Sequence, residues 1–155
     1  MKTKTEILLA LWIEARTRFS KQLEHLSEED LKKKLGNSPN SIGFLIRHIG
    51  DVELLFAKNI FGDQALKVSA KTVIDKKDTG EWTDIEALKD YTKESFEKLK
   101  SIIEKQNDED WESEVSTKEF GTKTKAEAFG RILSHTAYHA GQMAIVLKYG
   151  TTELG

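Results

Sequence analysis

Cysteine is absent from the chain, and with it go disulfides, zinc–thiolate sites and a cysteine nucleophile. If sulfur chemistry occurs, the thiol belongs to the substrate. Proline occurs once, at Pro39, so almost nothing forbids long helices. Long hydrophobic runs are missing as well. The longest, residues 7–13, is closed by Glu6 and Glu14. It is too short to span a bilayer and lacks a following small-residue cleavage site, so it reads as a buried stretch of helix. The expected compartment is the cytoplasm, with no membrane partner. No excess of positive charge exists. Lys and Arg total 24 against 26 Asp and Glu, for a net charge of -2, and nucleic acid finds no basic face to bind. The spacings E-x-x-H and H-E-x-x-H do not occur, which argues against a ferritin-like di-iron bundle and a zincin.

The 155 residues, 38% of them hydrophobic and 32% charged, suit one globular domain over residues 1–155 that buries its own core. Four segments carry helical periodicity. The first runs over residues 4–25 with Leu8, Leu11, Trp12, Phe19 and Leu23 inward. The second runs over 40–60 with Ile42, Leu45, Ile49, Val52 and Phe56 inward. The third runs over 84–106 with Ile85, Leu88, Phe96, Leu99 and Ile103 inward. The fourth runs over 125–149 with Phe129, Leu133, Ala137, Ala144 and Leu147 inward. Thr3 with Glu6, Thr83 with Glu86, and Thr124 with Glu127 match the capping box, in which hydroxyl and carboxylate satisfy free amides of the first turn. Ser38-Pro39 or Asn40-Ser41 opens the second helix. Residues 27–31 and 108–111 read as single helical turns at a bundle end. Residues 62–80 read as a long polar crossover, and Gly121-Thr122 as a turn into the last helix. The pattern predicts an all-α four-helix bundle with a long crossover loop between helices two and three, and helices two and four adjacent.

Only four histidines are present. His135 and His139 lie four residues apart, so their rings leave one helix on nearly the same side. His48 sits on an apolar helix face with Leu45, Val52 and Leu55. Two readings fit such a residue: a buried histidine bonded to a neighbour, or a ligand. If helices two and four are neighbours, the three rings converge, and three histidines on one divalent ion leave coordination positions open. Gln142 shares the face of the pair and is a candidate for contacting a bound water or the substrate. Arg131, one turn before His135, is a candidate substrate contact or a solvated end of the stripe. Asp51, three residues after His48, is placed to orient a ligand from behind. Gly141 lies in a stripe of small residues with Gly130, Ala137, Ala140 and Ala144, which suggests close approach of another backbone. Lys118, Lys123 and Lys125 flank the start of helix four as surface charges or as an attraction for an acidic cosubstrate. His25 and the three tryptophans read as structural.

The stretch HTAYHAGQ, from His135 to Gln142, together with NSIGFLIRHIGDVE around His48, resembles the DinB-like superfamily, whose YfiT-like branch is described as metal-dependent hydrolases. The resemblance covers essentially the whole chain. It implies a four-helix bundle holding nickel, zinc or iron on His48, His135 and His139. Where many relatives carry arginine directly after the second histidine of the pair, this chain has Ala140. Characterised relatives include thiol-dependent S-transferases and an isomerase that uses a low-molecular-weight thiol. The expected function is therefore metal-dependent activation of a small thiol or of water, with a small-molecule substrate. The alternative is a non-catalytic metal- or ligand-binding protein of the same fold. Relatives often form dimers, and Trp12 and Phe19 are candidate apolar area for a homodimer.

Overall fold

The computed structural model describes residues 1–152. Helix α1 spans Lys4–His25, α2 Glu28–Leu31, α3 Ile42–Asn59, α4 Lys71–Asp75, α5 Ile85–Ile103 and α6 Lys125–Tyr149. A 3-10 turn, Asp110–Glu112, and an antiparallel hairpin of β1 Glu114–Thr117 and β2 Gly121–Thr124 join α5 to α6. The long helices α1, α3, α5 and α6 form the bundle. Among the described residues no helix is long and apolar enough to cross a membrane.

Helix starts follow local chemistry. Thr3 and Glu6 form a capping box on α1, and Thr124 and Glu127 form one on α6. Ser27 and Asp30 cap the single turn α2 in the same way. For α3 the cap is Ser41, whose side chain accepts from the Phe44 amide. At α5 the expected Thr83 cap is replaced by Asp84, which accepts from the Ala87 amide at 2.9 Å. A carboxylate is at least as good a cap as threonine, so the start moves by one residue.

Pairings along the helices set their directions. Trp12 meets Phe129 edge to face and Gln22 donates to the Ala140 carbonyl, so α1 and α6 run parallel. Arg16 bonds the Thr92 carbonyl while Trp12 meets Phe96, so α5 runs against α1. On α3, His48 meets His139 while Phe61, just past its end, meets Phe129, so α3 runs against α6. Helices α3 and α5 are therefore parallel neighbours. A short turn cannot join parallel helices, because the chain must first return the length of the bundle. This is the physical reason for the crossover over residues 60–84. Its far end is clamped where the Trp82 carbonyl oxygen occupies the space a Cβ on Gly43 would need.

Two apolar clusters fill the bundle. One gathers around Trp12, Leu99, Ile103, Trp111, Phe129 and Ile132. The other gathers around Phe19, Ile42, Leu45, Ile49, Met143 and Val146. On each long helix the sequence passes from one cluster to the other through buried polar residues: Arg16, Glu53, Ser95 and Thr136. Arg16 grips Glu53 with two hydrogen bonds, Nε to Oε2 at 3.1 Å and Nη2 to Oε1 at 3.0 Å. Ser95 Oγ donates to the same carboxylate, and the guanidinium lies over the rings of Phe19 and Phe96. Burial pushes the Glu53 carboxyl up, and the Arg16 charge opposes that shift.

Several inward assignments are corrected. Leu11 is half exposed, whereas Trp12 and Phe19 are fully buried; neither of the latter is free for self-association. The buried face of α6 is Phe129, Ile132, Thr136, Ala140, Met143 and Val146, while Ala137 and Ala144 face outward. Among the described residues a Cβ on Gly130 or Gly141 would meet nothing within 4 Å, so neither glycine is required by the close approach of another backbone.

Candidate metal centre

Helices α3 and α6 meet beside the polar layer and bring three histidines together. His48 comes from the middle of α3, and His135 and His139 come from adjacent turns of α6. One nitrogen of each ring lies within 4.8 Å of the others. His48 Nε2 lies 3.1 Å from His135 Nε2. Nitrogens on one ion with metal–nitrogen bonds of about 2.0–2.1 Å lie roughly 3–3.5 Å apart. The His48–His135 pair is therefore at ligating distance, and the remaining nitrogen separations reach no more than 4.8 Å.

The outer nitrogens are held from behind. His139 Nδ1 lies 2.6 Å from Gln142 Oε1. An amide oxygen only accepts, so Nδ1 carries the proton and Nε2 carries a lone pair. His48 Nδ1 lies 3.0 Å from Thr72 Oγ1 on α4, and Thr72 Oγ1 lies 2.7 Å from Asp51 Oδ2. Asp51 also accepts from the Thr72 amide, Arg47 Nε and the Tyr91 hydroxyl. His135 Nδ1 is buried without a partner.

Electrostatics favours lone pairs here. Burial, reinforced by His139, pushes His48 down to about 4, and Asp51 only partly opposes it. Burial and both neighbouring rings push His135 down to about 3. Burial also lowers His139, against the pull of Gln142. Neutral imidazoles are the form a metal requires, so the donor set fits a divalent transition-metal ion.

The same shifts carry a stability signature. In the unfolded chain histidine takes up a proton near its ordinary 6.5, whereas these folded rings resist protonation far lower. The unfolded state then binds more protons, so stability rises with pH. The contribution is fully present above about 6.5 and is lost as pH falls toward 4. Metal-free protein is expected to melt at lower temperature at pH 5 than at pH 7, and His135→Gln should flatten that slope. Equal slopes for the two proteins would contradict the assignment.

A cavity of about 660 Å³ opens against the histidines. Val52, Leu55, Phe56, Ile60, Val73 and Phe120 give it apolar walls, and Asn59, Arg131 and Tyr138 supply polar groups. Arg131 lies over the Phe120 ring and 3.4 Å from Glu119 at the hairpin tip. Gln142 is outside this lining and faces His139 instead. Lys118 is exposed, and Lys125 donates to Gln106. His25 is exposed at the end of α1. Sequence reasoning missed Thr72, Glu119 and Phe120, which lie in a polar crossover and a short hairpin without periodic signal.

The fold is shared with solved structures. The mycothiol-dependent maleylpyruvate isomerase superimposes with a TM-score of 0.74 at 17% identity, over 92% of this chain and 63% of the isomerase. The present chain thus spans under two thirds of that enzyme. A mutant form of the isomerase gives 0.73 at the same identity and coverage. A conserved protein from Enterococcus faecalis gives 0.65 at 14% identity, over 96% of this chain and 98% of that one. No curated protein sequence matches. Residues 11–143 match the DinB superfamily, and the chain belongs to that superfamily.

Proposed function

We propose that the chain is a metal-dependent enzyme that uses His48, His135 and His139 to hold nickel, zinc or iron and acts on a small molecule in the adjoining cavity. The observation that carries this reading is the convergence of three neutral histidines on the wall of an open, mostly apolar cavity. A closed structural site would have no such space beside it. When bound, an ion of this kind lowers the pKa of a thiol or water ligand. The preferred cosubstrate is a low-molecular-weight thiol, because the isomerase that shares the fold is mycothiol-dependent; water is the second choice.

The chain's own groups divide the remaining work. Gln142 keeps the His139 lone pair on Nε2. The walls from Val52 to Phe120 bind an apolar substrate body and exclude water. Arg131, at the rim, pairs with an anionic substrate group in exchange for Glu119. A homodimer belongs to the same proposal, built on the exposed Ile7 and Leu11 of α1 and readable by light scattering as twice the 17.6 kDa chain mass.

The test is elemental analysis of native protein, then a screen of thiols paired with electrophilic acceptors and of hydrolysable esters and amides. Turnover that needs the metal supports an enzyme. Stoichiometric metal with no turnover across the screen would favour the binding-protein alternative.

A further inference from the structure

The crossover between α3 and α5 is more than a strap. Its short helix α4 inserts Thr72, 2% exposed, behind the histidine cluster. There the hydroxyl touches two groups, Asp51 Oδ2 at 2.7 Å and His48 Nδ1 at 3.0 Å. A hydroxyl has one proton. Asp51 is a carboxylate that also receives the Thr72 amide at 3.0 Å, Arg47 Nε at 2.8 Å and the Tyr91 hydroxyl at 2.5 Å. Surrounded by donors, it is acceptor-only, so the Thr72 proton points at Asp51. The Thr72 oxygen can then only accept from His48, whose proton must sit on Nδ1. That leaves the lone pair on Nε2, where in metal-free protein it accepts from His135 Nε2 at 3.1 Å.

From this hydrogen-bond order we infer that Thr72 is a positioning residue that locks His48 in its Nδ1–H tautomer and thereby keeps its Nε2 available as a ligand. The inference rests on the proposed metal site only for its purpose. The tautomer itself is a property of the protein without metal. It also makes α4 part of the site. Residue 72 orients a ligand while residue 73, on the same turn, lines the cavity, so undocking the crossover would release both at once.

Thr72→Val removes the hydroxyl at nearly constant shape. His48 Nδ1–H would then be buried without an acceptor, and the proton should move to Nε2. Thr72→Ser keeps the hydroxyl and should rescue. Two measurements separate the possibilities. Long-range proton–nitrogen NMR of metal-free protein near pH 7.5 reads the His48 tautomer: Nδ1–H is expected in wild type and Thr72→Ser, and Nε2–H in Thr72→Val. Competition of zinc or nickel against a chelator reads affinity: Thr72→Val should bind about 10–100-fold more weakly and Thr72→Ser within about threefold of wild type. An Nε2–H tautomer in wild type overturns the inference even if metal binds tightly. Equal losses in Thr72→Ser and Thr72→Val overturn it too. Wild type that shows Nδ1–H but takes no metal leaves the hydrogen-bond order intact and defeats the proposed metal site instead.

Discussion

Replacing His139 with alanine is expected to reduce divalent-metal affinity by at least about 100-fold, beyond the 10–100-fold that loss of an outer-shell partner costs. The ring supplies one of the three converging nitrogens, and its Nε2 lone pair is fixed by Gln142. Alanine offers no donor, and water in its place brings none of that pre-orientation. The control is His25→Ala. His25 is exposed at the end of α1 and should leave metal content unchanged. Both variants should keep their helical circular dichroism, because the bundle is held by its apolar clusters. Ligand linkage gives a second reading. A metal at 100 times its Kd stabilises the folded state by about 2.7 kcal/mol, so added metal should raise the melting temperature of wild type and His25→Ala but not of His139→Ala. Full occupancy in His139→Ala would remove the site from consideration.

Glu53→Ala should be the most destabilising single change in the polar layer, by about 3–5 kcal/mol. Both members of the pair are buried, with Glu53 wholly inaccessible. Truncating the acid leaves the Arg16 guanidinium between Phe19 and Phe96 with only the Thr92 carbonyl and the Ser20 hydroxyl. Arginine cannot shed its charge to escape. For a chain of this size the loss corresponds to a melting-temperature drop on the order of 10 °C. The double change Arg16→Met with Glu53→Leu removes both charges and should recover most of that loss, since a buried pair often does no better than apolar residues of like volume. Thermal melts of the single and double variants decide the matter; a single variant that melts within about 2 °C of wild type would mean the pair is not desolvated as described.

The parts of the fold most legible in sequence were those governed by local rules. Helices α1 and α6 begin and end where their capping boxes and periodicity place them, at Lys4–His25 and Lys125–Tyr149. The convergence of His48 with His135 and His139 followed from the same periodicity once α3 and α6 were neighbours. What periodicity could not resolve was the face of α6. That helix borders the core on one side and the cavity on another, and its alanines and glycines weigh little in either direction. The hairpin escaped because Glu114–Thr117 and Gly121–Thr124 show no alternation of apolar and polar residues. Arg16 carried a usable signal: it stands four residues after Trp12 and three before Phe19, inside the buried stripe, where a charge requires a partner. Thr72 carried none. Its role depends on where a polar crossover docks, and that is decided by tertiary contacts with Asp51 and His48.

The wide separation of the ligands along the chain has a consequence for biosynthesis. His48 and His135 stand 87 residues apart. At about 5–20 residues per second, a ribosome takes roughly 4–17 s to pass from one to the other. Through that interval α5 and the crossover can settle on α3 through contacts such as Tyr91 and Thr72 with Asp51, but the α3 face that carries His48 has no α6 to close against. A nascent chain halted before His135 holds one histidine of the three and has no reason to capture metal. Loading of the proposed centre would therefore wait for α6, the helix that supplies the other two histidines.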